Sequence, residues 1–427
     1  MVVVTPLCVD LEDTLFRGDP LLESVMLLVK QNPLYLFYLP FWLLRGKAFL
    51  TVALAARVKL NPAGLAYDRE LVERLQAERR AGRGIWLLCT SANEQLAAAV
   101  ASHLGLFDGV LVRDAERLAG HFGKGGFEVA HPVSGSRKIR AAIRALRPHQ
   151  WAKNSLVLVP LLAAHLVSDL QAVMAAFLAV AAFCLCASSV YILNDLLDLE
   201  ADRAHPRKSQ RPFASGELSI AVGLTLSPAL LALAIVITSF LPIRFWLVLA
   251  AYYGLTSAYS FFLKRFLLVD ALALAGLYTL RIIAGAAAID VPLSFWLLLF
   301  SVFLFLSLAF VKRFAELDAL QRQQRLRAAG RGYYVEDLSA LQSLGSSAGY
   351  MSVLVLALYI NSPEIEALYH RPKLVWTLCV LMLYWISRVW MMAQRGHMHD
   401  DPVVFALKDR QSLAIGVCAA ITMALAV

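Results

Sequence analysis

The chain has 427 residues, of which 59% are hydrophobic and 17% charged, with a mean hydropathy of +0.63. A soluble chain of this length carries roughly a quarter charged residues, so a wholly soluble protein is excluded. The net charge of +9 does not point to nucleic acid. Basic residues gather in the cytoplasmic loops of membrane proteins, and no basic stripe interleaved with aromatics is present.

Residues 1–135 read as a soluble α/β domain. "VVVTPLCV" and "GIWLLCT" (Gly84–Thr90) are buried-type strands, with the charged helix "DRELVERLQAERRAG" between them. A helix ending at Gly105 and a third strand, "GVLVRD", follow. Strands alternating with helices argue a parallel sheet. An insert over residues 33–62 holds two apolar runs broken by Pro40, Arg45 and Lys47, each too short to span. It reads either as a helical cap packed on the sheet or as an interfacial segment lying on the membrane with Tyr, Phe and Trp anchors. The N-terminus lacks a basic n-region, so no cleaved signal peptide is expected.

Residues 136–153 form a basic linker, with Arg137, Lys138, Arg140, Arg144, Arg147 and Lys153, no acid, and Trp151 at its end. An interfacial helix on the cytoplasmic side is expected. Residues 154–427 contain nine apolar runs approaching the ~20 residues a span requires: near 155–170, 172–193, 219–240, 244–263, 267–289, 293–311, 347–361, 374–394 and 411–427. Loops after the even-numbered runs hold sixteen Lys and Arg against three after the odd-numbered ones. That bias places the N-terminal domain in the cytoplasm and the C-terminus outside, in an inner or plasma membrane. The six cysteines (Cys8, Cys89, Cys184, Cys186, Cys379, Cys418) lie in apolar segments and form neither a disulfide nor a metal framework.

The densest chemistry is "NDLLDLEADRAHPRKSQRPFASG", Asn194–Gly216. Asp195, Asp198 and Asp202 are three and four residues apart, so a helix would stack their carboxylates on one face. At a membrane boundary such an array is costly unless a cation neutralises it. Oxygen donors without Cys or His point to Mg²⁺, which completes its shell with water and substrate phosphate. Lys208 and Arg211 follow directly, suited to a phosphate's charge. Further on, Asp270 and Arg281 are eleven residues apart in an apolar run and would share a helix face. They read as site residues or as a structural ion pair. Lys312, Arg313 and Glu316 end the sixth run, either as a helix-end anchor or as a side of an anion site. Residues 313–346 suggest a cytoplasmic helix pair, either a lid over the site or a solvated face. His397, His399, Asp400 and Asp401 cluster before the last run and read as a structural loop rather than a metal site.

"RPHQWAKN", the NDxxDxxxDxxHPxKxxRP pattern, "YSFFLKR…VD…R..AG" and "KRFAEL" together resemble the UbiA superfamily of intramembrane prenyltransferases, and within it the decaprenyl-phosphate phosphoribosyltransferases. The resemblance covers residues 147–427. It implies an all-α nine-helix bundle behind the α/β domain, with a cytoplasm-facing Mg²⁺-dependent pocket open sideways to lipid. Asn194, Asp195, Asp198 and Asp202 would then hold Mg²⁺ and diphosphate. Lys153, Lys208, Arg211, Lys264, Asp270, Arg281 and Lys312 would complete the donor site. Members that prenylate aromatic rings carry a second Asp-rich motif after span four. Here that region offers Asp270 with Lys264 and Arg265, which suits a donor bearing an additional phosphate. The expected reaction is transfer of phosphoribose from phosphoribosyl diphosphate to a polyprenyl phosphate. Prenyl transfer from a prenyl diphosphate is the alternative reaction, and a lipid-binding scaffold the non-enzymatic one. A homo-oligomer is admitted by the resemblance alone.

"VDLEDTLF" resembles the opening motif of the haloacid-dehalogenase (HAD) phosphohydrolases. Asp10 would be the nucleophile and Thr90 a phosphate contact. Glu12 replaces the usual general-acid Asp, a longer arm for a distance-sensitive proton transfer. Lys124 is poorly placed for the third element, and His131 and Pro132 stand where metal-binding acids are required. An impaired HAD-like domain is expected.

Overall fold

The computed structural model describes residues 5–90, 93–122, 127–130, 138–205, 207–324, 331–362, 365, 369–398 and 401–426. The chain forms two compact units, residues 1–147 with 191–229, and residues 148–190 with 230–427. The Asp-rich stretch therefore belongs to the first unit.

The first unit contains a four-stranded parallel sheet, β1 (Leu7–Asp10), β2 (Ile85–Cys89), β3 (Gly109–Val112) and β4 (Glu128–Val129), in the order β3-β2-β1-β4. Leu7 pairs with Ile85 and Asp10 with Leu88, which brings the C-terminal ends of β1 and β2 together. Its helices are α1 (Pro20–Gln31), α2 (Tyr35–Leu44), α3 (Lys47–Ala55), α4 (Arg69–Arg80), α5 (Glu94–Leu104), α6 (Ala115–Phe122) and α7 (Lys138–Leu146). Helix α4 shows why its sequence folds this way. Asp68 caps it through Leu71 N, and Leu71 and Leu75, four residues apart, are both fully buried. They join Leu7, Val9, Ile85, Leu87, Ala97 and Val100 in the sheet's core. The expected parallel α/β region is present.

Most of the insert packs away from the sheet, and only Leu60 near its end reaches the sheet's core. Leu50, Leu54 and Val58 form a separate core with Leu28 of α1, flanked by Tyr35, Leu39 and Trp42, while α2 has no buried residue.

Among its described residues the second unit is helical apart from its connections. It holds Val159–Ala163 (α8), most of Leu170–Leu197 (α9), Ile243–Phe261 (α12), Val269–Ala288 (α13), Phe295–Arg322 (α14), Leu338–Ile360 (α15), Trp376–Gln394 (α16), Pro402–Lys408 (α17) and Arg410–Ala426 (α18). The short α10 (Leu199–Arg203) lies in the first unit, and α11 (Ile220–Thr238) runs from the first into the second. Helix α13 is the most enclosed. Its small residues Ala271, Ala275, Ala284 and Ala288 are almost fully buried, and a Cβ added to Gly285 would meet Val157 O and lie 2.9 Å from Pro160 Cδ.

Among the described residues six helices are long and apolar enough to cross a membrane: Leu170–Leu197, Ile220–Thr238, Val269–Ala288, Phe295–Arg322, Val335–Ile360 and Pro372–Gln394. They match the second, third, fifth, sixth, seventh and eighth expected runs. The first run is not one helix. A 3₁₀ segment (Pro148–Leu158), α8 and a second 3₁₀ turn (Leu166–Ser168) replace it. Pro160 offers no amide hydrogen, and His165 takes φ +56°. The fourth run is α12, diluted by Arg244 and several Tyr and Ser, and the ninth is the 17-residue α18. The 313–346 helix pair is also corrected. Residues 313–322 continue α14, whose helix-forming sequence has no breaker there, and residues from Leu338 onward belong to α15.

Candidate active site

In the first unit α9 runs down to Leu197, and Asp198, with φ −102° and ψ 16°, breaks it before α10. The three aspartates therefore do not share one continuous helix face. Asp195 and Asp202 turn inward, each 2% exposed, while Asp198 turns toward α1. Arg211 Nη1 lies 3.1 Å from Asp195 Oδ1 and 2.5 Å from Asp202 Oδ2, so one guanidinium nitrogen joins the two buried carboxylates. Arg147 also donates to Asp195 Oδ1, and its guanidinium lies 5.2 Å over the Tyr191 ring. Lys208 Nζ is 3.9 Å from Asp202 Oδ1, and Asn194 is half-buried one residue before Asp195.

Among the described residues no three His, Cys, Asp or Glu side chains converge closely enough to hold a metal ion. Two carboxylates nevertheless flank a single cationic atom, the Arg211 nitrogen. Mg²⁺ commonly takes only one or two protein carboxylates and fills its shell with water and phosphate, so this donor set fits it.

The N-terminal region reaches the same segment. Lys30 of α1 lies 3.1 Å from Asp198 Oδ1. Arg203 of α10 makes a two-pronged pair with Glu23 of α1, at 2.9 and 2.6 Å, and also donates to Gly64 O and Ala214 O. Both side chains are under 10% exposed. Four of the five guanidinium N–H donors are thus engaged, which helps offset the cost of burying such a pair.

Polar groups gather in the second unit around Asp401, Asp270 and Arg281. Asp401 caps α17. Its Oδ2 accepts from Lys153 Nζ and Lys312 Nζ, each at 2.8 Å, and its Oδ1 from Tyr278 Oη at 2.8 Å and Val403 N at 3.2 Å. Burial pushes this carboxyl upward, but Lys312 and Lys153 outweigh it and hold the acid far below the usual carboxylate range. Asp270, fully buried, is gripped by Arg313, with Nε 2.7 Å from Oδ2 and an Nη2 donor 3.0 Å from Oδ1. Tyr259 Oη and Arg331 Nη1 also donate to it. Arg281 points elsewhere: Nε donates to Asn154 Oδ1 at 2.9 Å and Nη2 to Tyr252 Oη at 3.0 Å. The Asp270–Arg281 ion pair is therefore corrected. Lys264 sits half-buried in the single 3₁₀ turn after α12. Within this unit an apolar cavity of about 740 Å³ is lined by Trp296, Phe300, Leu356, Met382, Trp385 and Met423 among others.

Lys153 and Lys312, expected at the donor site, both meet Asp401, a residue that the sequence places in a structural loop. The Asp-Pro step at 401–402, an N-cap followed by N1 proline, was the available signal. The spacing also does not reveal Arg147, Lys30 and Arg203 as partners of the Asp-rich stretch. His399 and Asp400 lie outside the described residues.

At the sheet's C-terminal edge, Asp10 Oδ1 accepts from Glu12 N and Asp13 N, both at 2.9 Å. Glu12 receives Thr90 Oγ1 and Asn93 Nδ2, each at 2.7 Å. Arg113, just beyond β3, places Nη1 2.8 Å from both Asp10 Oδ2 and Asp13 Oδ2. Asp13 and Asp10 in turn hold the Arg113 guanidinium firmly protonated. Lys124, His131 and Pro132 lie outside the described residues. The nearby Cys89 thiol is pushed up to about 11 by burial and by Glu94, Glu12 and Asp10, which disfavours its thiolate.

The chain is 32% identical to Uncharacterized protein y4nM of Sinorhizobium fredii over 98% of its length and 91% of the relative's. It is 38% identical to Nodulation protein NoeC of Azorhizobium caulinodans, over 63% of this chain and 87% of that protein. It is 38% identical to a decaprenyl-phosphate phosphoribosyltransferase of Mycolicibacterium smegmatis, over 52% of this chain and 72% of that one. A UbiA homologue from Archaeoglobus fulgidus bound to DMAPP and Mg²⁺ shares the fold, with TM-score 0.51 and 16% identity, over 67% of this chain and 97% of that chain. The UbiA prenyltransferase family matches residues 155–409, and the chain belongs to that family.

Proposed function

We propose that this membrane transferase is Mg²⁺-dependent and moves 5-phosphoribose from phosphoribosyl diphosphate to a polyprenyl phosphate. The observation that carries the reading is the cation position shared by Asp195 and Asp202, with bases gathered around it. Identity with named decaprenyl-phosphate phosphoribosyltransferases supports the donor and acceptor classes.

Asp195 and Asp202 would hold the metal, with Asn194 and Asp198 beside them. Bound there, Mg²⁺ would supply charge neutralisation to the diphosphate leaving group. Arg211, Arg147 and Lys208 then grip the diphosphate oxygens. An acceptor phosphate oxygen bonds to ribose C1 while the C1–O bond to diphosphate breaks, its electron pair departing with the diphosphate. The acceptor is already ionised, so no side chain need act as general base. Within the second unit, taken by itself, Lys153, Lys264, Arg281 and Lys312 are the candidate anion-binding residues. Asp401 fixes the two lysines, and Asp270 fixes Arg313. The second unit's apolar cavity has a lining suited to an apolar chain.

Charge bias puts the N-terminal domain in the cytoplasm and the C-terminus on the opposite side. The HAD-like site is impaired: Arg113 occupies its carboxylates, and Glu12 is tied to Thr90 and Asn93.

Membranes bearing the protein, given labelled phosphoribosyl diphosphate, Mg²⁺ and polyprenyl phosphate, should form a lipid-linked sugar phosphate. Asp195→Ala and Asp202→Ala should abolish it. Product from a prenyl diphosphate and none from phosphoribosyl diphosphate would establish prenyl transfer instead.

A further inference from the structure

Helix α2 presents two stripes of opposite fate. Tyr35, Leu39 and Trp42, spaced four and three apart, face inward against α1 and α3. Leu34, Phe37, Tyr38, Phe41 and Leu44, at the same helical spacing, face outward and are 62%, 70%, 56%, 67% and 85% exposed. A helix whose outer stripe faced water would carry polar residues there. This one carries no charge and only the Tyr38 hydroxyl, and α3 extends the patch with Phe49 and Val52. Contiguous apolar surface of this kind marks an interaction face.

The charges around the patch specify the occupant. From Asn32 to Tyr67 the chain has Arg45, Lys47, Arg57 and Lys59 and not one acid. Arg45 and Lys47 flank the turn between the helices, where Gly46 adopts φ +102°. Arg45 lies 5.3 Å over the Phe49 ring and Arg57 5.0 Å over the Trp42 ring, so both cations stay beside the apolar layer. Apolar bodies with cations and Tyr/Trp at their margin match the boundary between acyl chains and anionic headgroups. A ten-residue helix is about 15 Å long, too short to cross, and bases at the turn oppose insertion tip-first. The same unit contains the end of α9 and the start of α11, both of spanning character, so a bilayer borders it.

We propose that the α2–α3 hairpin is a monotopic membrane anchor. It lies flat in the cytoplasmic leaflet with Leu34, Phe37, Phe41 and Leu44 among the acyl chains and Arg45, Lys47 and Arg57 at anionic headgroups. The α/β domain is thereby tied to the bilayer by contacts additional to the chain's spanning helices.

The test uses the full chain in vesicles of phosphatidylcholine and phosphatidylglycerol. Cys418, the exposed cysteine among the six, is replaced by Ser, and a nitroxide is placed at Leu44→Cys, at Phe41→Cys, or at the exposed control Gln76→Cys on α4. The expected result is that labels at 41 and 44 collide with oxygen at least several-fold more than with a water-soluble nickel complex, with the ratio reversed at 76. Equal nickel access at 44 and 76 would overturn the proposal, since the face would be in water. Low access to both reagents at 41 and 44 would also overturn it, because protein such as a second copy would then cover the face. These labels sit on exposed side chains, so the fold tolerates them. A Phe41→Glu/Leu44→Glu variant checks the same point by losing the oxygen preference of a label at Val52→Cys.

Discussion

Replacing Asp401 with Asn tests the polar node of the second unit. Asparagine can keep the bonds from Tyr278 and Val403 but removes the charge that two lysines share. Lys153 and Asp401 are 11% and 7% exposed, whereas Lys312 is 34% exposed and partly rehydrates. Removing one partner of a buried pair costs about 3–5 kcal/mol, and the partial exposure of Lys312 places this case near the lower bound, about 3 kcal/mol. Thermal unfolding in detergent should show a midpoint several degrees lower for the variant. The pH dependence is directional. Asp401 has a depressed folded pKa, so its contribution is complete above the unfolded carboxylate value near ~4 and fades as pH falls toward the folded value. The gap between wild type and variant should thus be flat from roughly pH 5 to 8 and narrow below about 4. A variant as stable as wild type, or a gap that closes near neutrality, would refute the reasoning.

Glu23→Gln removes the charge facing buried Arg203 and should destabilise the first unit by about 3 kcal/mol, read as earlier proteolysis near residues 199–216. Gly285→Val should prevent close packing of the Pro148–Ala163 segment on α13 and lower the thermal midpoint further than Gly276→Ala, where the nearest atom is 3.6 Å away. Asp10→Asn should leave Mg²⁺-dependent phosphatase activity at background, as in wild type. Wild-type turnover abolished by that substitution would show a working HAD site.

The α/β region was legible because its strands are short apolar runs bounded by turn residues, and because α4 states its inward face in Leu71 and Leu75. The Asp-rich stretch was legible by spacing, but not its geometry. Asp198 ends α9, so three carboxylates that a continuous helix would stack are divided between an inward pair and Lys30. Periodicity could not assign Asp270, since eleven residues put Arg281 on the same face while the tertiary fold supplied Arg313 from α14. Hydropathy likewise overcounted continuous spans, because apolarity over 155–170 does not reveal that the backbone there breaks into 3₁₀ turns around Pro160.

The central claim is the identity of the transferred group. Purified protein in lipid, offered phosphoribosyl diphosphate and a prenyl diphosphate together with polyprenyl phosphate and Mg²⁺, can be followed by mass spectrometry of the lipid fraction. The expected product is a polyprenyl phosphate heavier by one phosphoribosyl group, absent in Asp195→Ala. An acceptor carrying a prenyl group, with phosphoribosyl diphosphate unconsumed, would contradict it.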